Sequence, residues 1–128
     1  GNYTAIYSVK IDGTEINQLT TDDVTDTSPA ISPDGSQIAF IRVPAGEFFE
    51  GDIYIMDASG ANPTNITNGV YAGADGGLEF SPDGSQIVYT LELGNTNTSQ
   101  IFITDVNGSE SIQITSGQAQ SMHPCFKY

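Results

Sequence analysis

Ser-Pro-Asp-Gly-Ser-Gln-Ile occupies positions 32–38, and the same seven residues occupy positions 81–87. Identity over seven consecutive positions is improbable by chance, so the two stretches indicate an internal repeat. They lie 49 residues apart. A period of this length is typical of proteins that stack several copies of one small structural unit.

A longer stretch occurs three times at nearly the same spacing. Each copy has 15 residues, begins with an Ile that opens an apolar run, and ends on a Thr, with a Gly at its eighth position. The copies span 6–20, 53–67 and 101–115 and align without a gap. The chain is therefore predicted to be a single repeat domain, 1–128. It would contain two full repeat units, which we call blades, at 28–67 and 78–115, and two partial blades at 1–20 and 121–128.

Each full copy is predicted to form four short strands, A to D, separated by turns. The apolar runs 38–41 and 87–90 each follow an Asp-Gly pair after two intervening residues, and this pair supplies the positive φ that a tight hairpin needs. In the first full copy we place strand A at 29–31, B at 38–41, C at 53–56 and D at 65–67. The residues predicted to form the turns are Asp34, Gly35, Asp83 and Gly84.

The pattern predicts an all-β protein. No segment places apolar residues at helical spacing over three turns. Strand C of the first full copy, Ile53-Tyr54-Ile55-Met56, is apolar on both faces, so each small sheet should be covered from both sides. Four antiparallel strands that repeat every 40 to 50 residues and stack face to face are the blades of a β-propeller.

The motifs S-P-D-G-S-Q-I-A-F, D-I-Y-I-M-D-A-S-G and N-I-T resemble the repeat of TolB-type propellers over nearly the whole chain. Ile31 and Phe80 stand where that repeat usually has Trp, and Lys10 stands where Asp57 and Asp105 occur in the other copies. The resemblance implies a propeller without catalytic activity that serves as a binding or assembly module in the bacterial periplasm or outside the cell.

The chain has 16 acidic and 3 basic residues and a net charge of −13, which argues against a nucleic-acid or anionic-membrane partner. No apolar segment approaches the roughly 20 residues of a membrane span, so membrane insertion is not expected. No signal peptide is recognisable at the N-terminus. The single cysteine, Cys125, is expected to be a buried, unreactive side chain. No cofactor is expected.

The loops that connect strand B to C and strand D to the next A are longer and less alike than the turns, and binding residues are often placed on such loops. We expect this end of the propeller to contact a protein or a glycan. Two alternatives are a merely solvated acidic surface and a cation site at Asp22-Asp23-x-x-Asp26, although no metal is assigned. The candidate partner-binding residues are Asp22, Asp23, Asp26, Glu47, Phe48, Phe49, Tyr71, Asp75 and Glu92.

No catalytic constellation is recognisable, and the chain is not expected to be an enzyme. Glu79 and His123 are predicted to line the central channel of the propeller. One alternative is that the chain is the propeller part of a larger enzyme, such as a serine peptidase, and gates its active site. Another is a hydrolase that uses a carboxylate pair in the channel, with Asp26 and Glu79 as candidates.

Residues 1–128 amount to about 2.7 blades, because the equivalents of positions 34–47 are missing between the last partial copy and the first. Since a propeller hides its edge strands only when its ring closes, we expect two chains to form a six-bladed ring. Strand A at 121–126 of one chain would then join strands C and D at 6–20 of the other. The alternative is a fragment of a longer propeller.

Overall fold

The computed structural model describes residues 3–21, 23–47, 50–69, 72–73, 77–93, 98–117 and 123–127. Within these ranges the regular structure is entirely β, which confirms the predicted fold class. The strands are β1 (Tyr7–Ser8), β2 (Asn17–Gln18), β3 (Thr25–Ile31), β4 (Gln37–Val43), β5 (Glu50–Asp57), β6 (Thr64–Asn65), β7 (Ala72–Gly73), β8 (Leu78–Phe80), β9 (Gln86–Glu92), β10 (Ser99–Asp105) and β11 (Ser111–Gln113).

The strands form three antiparallel units that follow one another along the chain. β1 and β2 pair as an isolated hairpin, which we call the first hairpin. The middle blade has the strand order β3-β4-β5-β6, and β7 also pairs with the beginning of β5. The last blade has the order β8-β9-β10-β11, which runs sequentially like that of the middle blade.

Apolar side chains of β4 point alternately to the two sides of the middle blade. Ala39 and Ile41 pack toward the last blade, whereas Ile38 and Phe40 pack toward the first hairpin. The three units therefore stack face to face. The core between the middle and last blades contains Ala39, Ile41, Val43, Ile53, Ile55, Ile66, Phe80, Ile87 and Tyr89. The core between the first hairpin and the middle blade contains Ile6, Ile38, Phe40 and Met56, with Leu19 and Tyr54 partly buried against it.

Several strands differ from their predicted bounds. β3 begins at Thr25, not at position 29, and its register with β4 is irregular between Thr27 and Ala30. Ser28 has a φ of 54° within this irregularity, and Pro29 has no N–H to give to a ladder. β6 covers Thr64–Asn65 and stops before Thr67. The hydroxyl oxygen of Thr67, and not its backbone carbonyl, accepts the hydrogen bond from the N–H of Ile53.

The two turns between strands A and B have the same geometry. Oδ1 of Asp34 accepts hydrogen bonds from the hydroxyl of Ser32 at 2.7 Å, the N–H of Ser36 at 3.0 Å and its hydroxyl at 2.7 Å. Asp83 accepts the equivalent three bonds in the last blade. Gly35 and Gly84 both have a φ of 73°, a conformation that glycine adopts without strain.

The Thr that ends each 15-residue copy closes the hairpin between strands C and D. Its Oγ1 accepts a hydrogen bond from the N–H of the Ile that begins the copy. The distances are 2.9 Å from Ile6 to Thr20, 3.0 Å from Ile53 to Thr67 and 2.9 Å from Ile101 to Thr115. The three copies are therefore equivalent in structure as well as in sequence.

The described part of the tail, residues 123–127, contains no strand. Cys125 is exposed, so the expectation of a buried thiol is wrong; no strand pairs with this stretch in the single chain. His123 has a φ of 55°, which matches the 54° of Ser28 at the same repeat position. The start of the tail thus keeps the backbone conformation found in strand A of the middle blade.

Thr67→Val is expected to lower the free energy of unfolding by about 1–3 kcal/mol, because the buried N–H of Ile53 would lose its acceptor. Thr64→Val is the matched control. Thr64 is exposed in β6, three residues before Thr67, so this substitution should change stability by less than about 0.5 kcal/mol. Urea unfolding of the three proteins measures both effects. Equal effects of the two substitutions would contradict the assigned role of Thr67.

The hydrogen bonds of the turns lower the pKa of both Asp34 and Asp83 from 3.8 to about 2, chiefly through the N–H of Ser36 for Asp34 and the hydroxyl of Ser81 for Asp83. A carboxylate whose pKa is lower in the folded state stabilises the fold above its unfolded pKa, and this stabilisation is lost as the pH falls toward the folded pKa. Stability should therefore decrease between about pH 4 and about pH 2.

The double variant Asp34→Asn, Asp83→Asn should lose less stability over this pH range, because neither amide titrates. Thermal unfolding at several pH values between 5 and 2 checks this expectation. A variant whose stability falls with pH as steeply as that of the parent would contradict it.

Candidate partner-binding face

The antiparallel order of the strands separates the connections into two groups. The turns between β3 and β4 and between β5 and β6 lie at one end of the stack, which we call the turn end. The connections between β4 and β5 and between consecutive blades lie at the opposite end, the loop end. Four of the nine predicted partner-binding residues belong to the described part of the chain: Asp23, Asp26, Glu47 and Glu92. Asp22, Phe48, Phe49, Tyr71 and Asp75 lie outside the described residues.

Three of the four described residues present carboxylates to solvent. Asp23, Glu47 and Glu92 are all exposed; Asp23 and Glu47 belong to two connections at the loop end, and Glu92 lies at the loop end of β9. Asp23 accepts a hydrogen bond from the hydroxyl of Thr21, which lowers the pKa of its carboxyl group. Glu92 is the last residue of β9, where sequence reasoning had placed a loop. The described part of this end therefore presents three carboxylates to solvent.

The assignment of Asp26 to an exposed loop is wrong. Asp26 lies in β3, its side chain is 0% exposed, and it is directly opposite Arg42 of β4. The guanidinium binds both carboxylate oxygens, with Nε to Oδ1 at 2.7 Å and Nη2 to Oδ2 at 2.8 Å. Because Arg42 already occupies this carboxylate and burial shields it, Asp26 is available neither to a partner nor to a calcium ion.

Arg42 connects this ion pair to the aromatic side chains of the middle blade. Its guanidinium lies 5.3 Å from the centre of the Phe40 ring and 5.0 Å from that of Tyr54, within the range of cation–π attraction. The hydrogen bond with Asp26 raises the pKa of Arg42. The backbone of Asp26 also binds the segment that precedes the first hairpin. Its N–H donates to the carbonyl oxygen of Thr4 at 2.8 Å, and its carbonyl oxygen accepts a hydrogen bond from the hydroxyl of Thr4 at 2.9 Å.

A second polar network, which sequence reasoning missed, anchors the beginning of the connection after the middle blade. Oδ1 of Asp52 accepts the hydroxyl of Thr67 and the N–H of Gly69, both at 2.7 Å, and Oδ2 accepts the amide of Asn65 at 2.9 Å. The sequence contains a signal for this network, since the polar residue Asp52 directly precedes the Ile that begins its 15-residue copy and so lies close to the Thr at the end of that copy.

The last blade uses Gln100 at the same repeat position. Gln100 is buried, its Oε1 accepts the hydroxyl of Thr115 at 2.6 Å, and its Nε2 donates to the carbonyl of Gly117 at 3.2 Å. In the first copy this position is Ala5. An acceptor before the Ile thus holds the final Thr in both blades and fixes where the loop leaves the sheet.

The predicted channel residues lie far apart in sequence and differ in setting. Glu79 is half-buried in β8 opposite Val88, and His123 is exposed. Their predicted place in a channel stays a prediction. Among the residues that the structure describes, no three His, Cys, Asp or Glu side chains come together as a candidate metal site. No helix in the described ranges is long and apolar enough to cross a membrane.

Solved structures with the same fold include two TolB proteins. The structure of TolB from Acinetobacter baumannii matches with a TM-score of 0.69 and 25% identity, over 88% of this chain and 26% of that one. The chain has a TolB-like β-propeller fold. A TolB structure from Agrobacterium tumefaciens matches with a TM-score of 0.65 and 23% identity, over 85% of this chain and 40% of that one.

The propeller domain of a protease shares the fold as well. The β-propeller domain of the Trilobed protease from Pyrococcus furiosus, which has an open velcro topology, matches with a TM-score of 0.56 and 18% identity, over 84% of this chain and 33% of that one. No family model matches the chain. The TolB-like chain spans well under half the length of these structures.

Arg42→Met is expected to lower the free energy of unfolding by about 3 kcal/mol, because it leaves the buried carboxylate of Asp26 without its counter-ion. Adding Asp26→Asn should recover part of this loss, since a neutral amide needs no counter-ion. The control is Lys10→Met, which breaks an exposed ion pair with Glu15 and should cost less than about 1 kcal/mol. Chemical unfolding gives the four stabilities. A double variant no more stable than Arg42→Met would contradict the account.

Proposed function

We propose that this TolB-like chain is a non-catalytic binding and assembly module of the cell envelope, periplasmic or extracellular, whose loop end contacts a protein or glycan partner. One observation carries the proposal: exposed carboxylates from two connections and from the end of β9 stand at one end of a stack of sheets. Binding residues are commonly placed in this way, on loops that a rigid scaffold positions.

The polar groups beneath these carboxylates support a scaffold role. The Asp26–Arg42 pair fixes β3 to β4, and the network of Asp52 fixes the start of the following connection. Gln100 performs the same task in the last blade. These side chains fix the described strand ends from which the connections leave, and a preorganised surface loses less entropy when a partner binds.

The charge of the loop end favours a partner with a basic surface. With Asp23, Glu47 and Glu92 exposed and a net charge of −13 for the chain, a cationic protein surface would be attracted from a distance and a strongly anionic glycan would be repelled. A basic protein is therefore the partner we favour, with an uncharged or cationic glycan as the alternative.

A second candidate function is a propeller that gates the active site of a larger enzyme. The likeness to the propeller domain of the Trilobed protease favours it. The discriminating observation is an α/β-hydrolase segment adjoining this stretch in the parent gene. Turnover of peptides or glycosides by the chain itself, lost on Glu79→Gln, would contradict the non-catalytic proposal.

Glu92→Lys is expected to weaken capture of the partner by about three- to tenfold, because it replaces attraction by repulsion at the loop end. Glu110→Lys is the matched control, since it reverses one exposed carboxylate of the same blade at the turn end. Glu47→Lys, from the middle blade, should add to the effect of Glu92→Lys. Immobilised protein is incubated with an envelope extract at low salt, and the captured proteins are quantified by mass spectrometry.

A specific partner should be depleted by Glu92→Lys, retained by Glu110→Lys and released by added salt. Capture that both substitutions reduce equally would indicate non-specific adsorption to an acidic protein. Capture that neither substitution reduces would remove the loop end from the binding surface. Either result would contradict the proposal.

A further inference from the structure

A cleft of about 340 Å³ lies at the turn end, between the two turns that carry the repeated Ser-Pro-Asp-Gly sequence. The turn of the middle blade forms one wall, and the turn of the last blade forms the other. The two turns lie close together, since a Cβ added to Gly84 would be 3.5 Å from Cδ of Pro33. The cleft therefore results from the stacking of two blades that both belong to the described residues.

Asp34 and Asp83 line this cleft, and each carboxylate has one oxygen available to a ligand. Among the described residues, the hydrogen bonds of each turn end on Oδ1, and Oδ2 accepts none. These bonds, chiefly from the N–H of Ser36 for Asp34 and the hydroxyl of Ser81 for Asp83, lower the pKa of both carboxyl groups to about 2. Both groups are therefore charged at neutral pH.

The chain supplies little positive charge to balance these two carboxylates. It has three basic residues, of which Lys10 pairs with Glu15 and Arg42 with Asp26, each outside the cleft. Within the described part of the chain, no ion pair involves either carboxylate of the cleft. Two like charges that face one cleft repel each other, so a cation from outside the chain would be attracted to the space between them.

A second cleft, of about 270 Å³, adjoins the first along the same boundary between the middle and last blades. Its lining differs in character, because it includes the apolar residues Ile55, Ile66 and Val106 together with the exposed amide of Asn107. Gln37 lines both clefts and so joins them. A negatively charged cleft and a partly apolar cleft therefore lie side by side.

The side-chain amide of Gln37 is open to a ligand because the two blades differ at this point. In the last blade, the equivalent Gln86 donates to Asp105 on the neighbouring strand at 3.3 Å. In the middle blade, Asp57 lies opposite Gln37 but accepts the amide of Asn62 at 2.8 Å instead. Among the described residues, the amide of Gln37 has no hydrogen-bond partner. An amide offers both donors and an acceptor, as a peptide group requires.

We propose that the two clefts together bind an extended segment of a partner protein, in which an apolar residue follows two positions after a basic one. The basic side chain lies between Asp34 and Asp83, and a peptide group of the segment pairs with the amide of Gln37. Side chains two positions apart lie on the same side of an extended chain, so the apolar side chain enters the second cleft. This surface is at the turn end, and it is separate from the partner surface proposed at the loop end.

The lining of the clefts favours such a segment over other ligands. A metal ion would have too few protein ligands, because among the described residues no third His, Cys, Asp or Glu joins the two carboxylates. An anion would be repelled, and a small organic cation would leave the second cleft and the amide of Gln37 unused. An arginine side chain suits the first cleft well, since a guanidinium donates parallel hydrogen bonds to carboxylate oxygens.

Titration of isotope-labelled protein with the peptide acetyl-Gly-Arg-Ala-Leu-Gly-amide, followed by NMR, gives the first test. The backbone amide signals of Gly35, Gly84 and Val106 should shift until the site is saturated, whereas that of Gly13 in the first hairpin should not. Replacing the Arg of the peptide by Gln should weaken binding by at least about tenfold. Replacing its Leu by Ser should weaken binding by about three- to tenfold.

Variants of the protein separate the charge of the cleft from the structure of its turns. Asp83→Asn keeps an oxygen that accepts the hydrogen bonds of the turn, and it should weaken the Arg peptide by about three- to tenfold but not the Gln peptide. Asp12→Asn is the matched control, because Asp12 likewise accepts the N–H and hydroxyl of Thr14 in a turn, but it lies in the first hairpin. Gln37→Ala should weaken both peptides equally, since they share the peptide group. Circular dichroism confirms that each variant folds.

Binding of the Arg peptide that shifts the signals of the cleft, weakens on Asp83→Asn and withstands Asp12→Asn would support the proposal. Three results would overturn it: no saturable shift up to the solubility limit of the peptide, shifts centred outside the two clefts, or equal weakening by Asp83→Asn and Asp12→Asn. The last result would indicate general attraction of a cation to an acidic chain. Glu92→Lys should bind the peptide like the parent protein, so failure here is distinguishable from failure at the loop end.

Discussion

The long strands of this chain carry apolar side chains on both faces, and the rest of the structure follows from the need to cover both. β4 buries Ala39 and Ile41 on one side and Ile38 and Phe40 on the other. Burying one Ile or Phe side chain contributes about 1.5–3 kcal/mol, whereas one hydrogen bond contributes about 1 kcal/mol net. A lone four-stranded sheet would leave one of these faces in water. Stacking, and not strand pairing alone, therefore determines the architecture.

Polar side chains have a different task, which is to end the ladders without leaving buried groups unpaired. After the end of β6, the side chain of Thr67 accepts the hydrogen bond from the N–H of Ile53, and Asp52 orients Thr67 by accepting a hydrogen bond from its hydroxyl. At the turn end, Asp34 gathers three hydrogen bonds from two serines. Because these residues fix the sheet on their own, the connections at the loop end can differ in length and composition from blade to blade, and this freedom suits them to recognition.

The fold could be predicted from the sequence because its determinants are local and repeated. The Asp-Gly turns, the 15-residue copies and the alternation of apolar residues depend on spacing, which the sequence displays directly. The strand ends could not be predicted as well. The pattern marks apolar residues, and β4 continues through Arg42 because this side chain finds a counter-ion in Asp26 on the opposite strand.

The candidate site was less predictable, because the burial of a charged side chain depends on tertiary contacts that the sequence does not display. Acidic residues near loops appear alike in a sequence, yet Glu47 is exposed and Asp26 is buried. What separates them is a tertiary contact, the pairing of Asp26 with Arg42. Cys125 is the converse case, since a lone cysteine was expected to be a buried apolar side chain, whereas the described tail has no neighbouring strand in the single chain. Repeat register predicts local conformation, and it predicts burial only where the next unit is present.

The central claim is that the three 15-residue copies form one structure in three successive units. Hydrogen exchange of backbone amides, followed by NMR, tests it directly at the residue that begins each copy. The account predicts that the amides of Ile6, Ile53 and Ile101 are all strongly protected, because each donates to the Thr that ends its copy. Exchange of Ile6 at the rate of an unstructured peptide, with Ile53 protected, would show that the first copy is not part of the stack and would contradict the account.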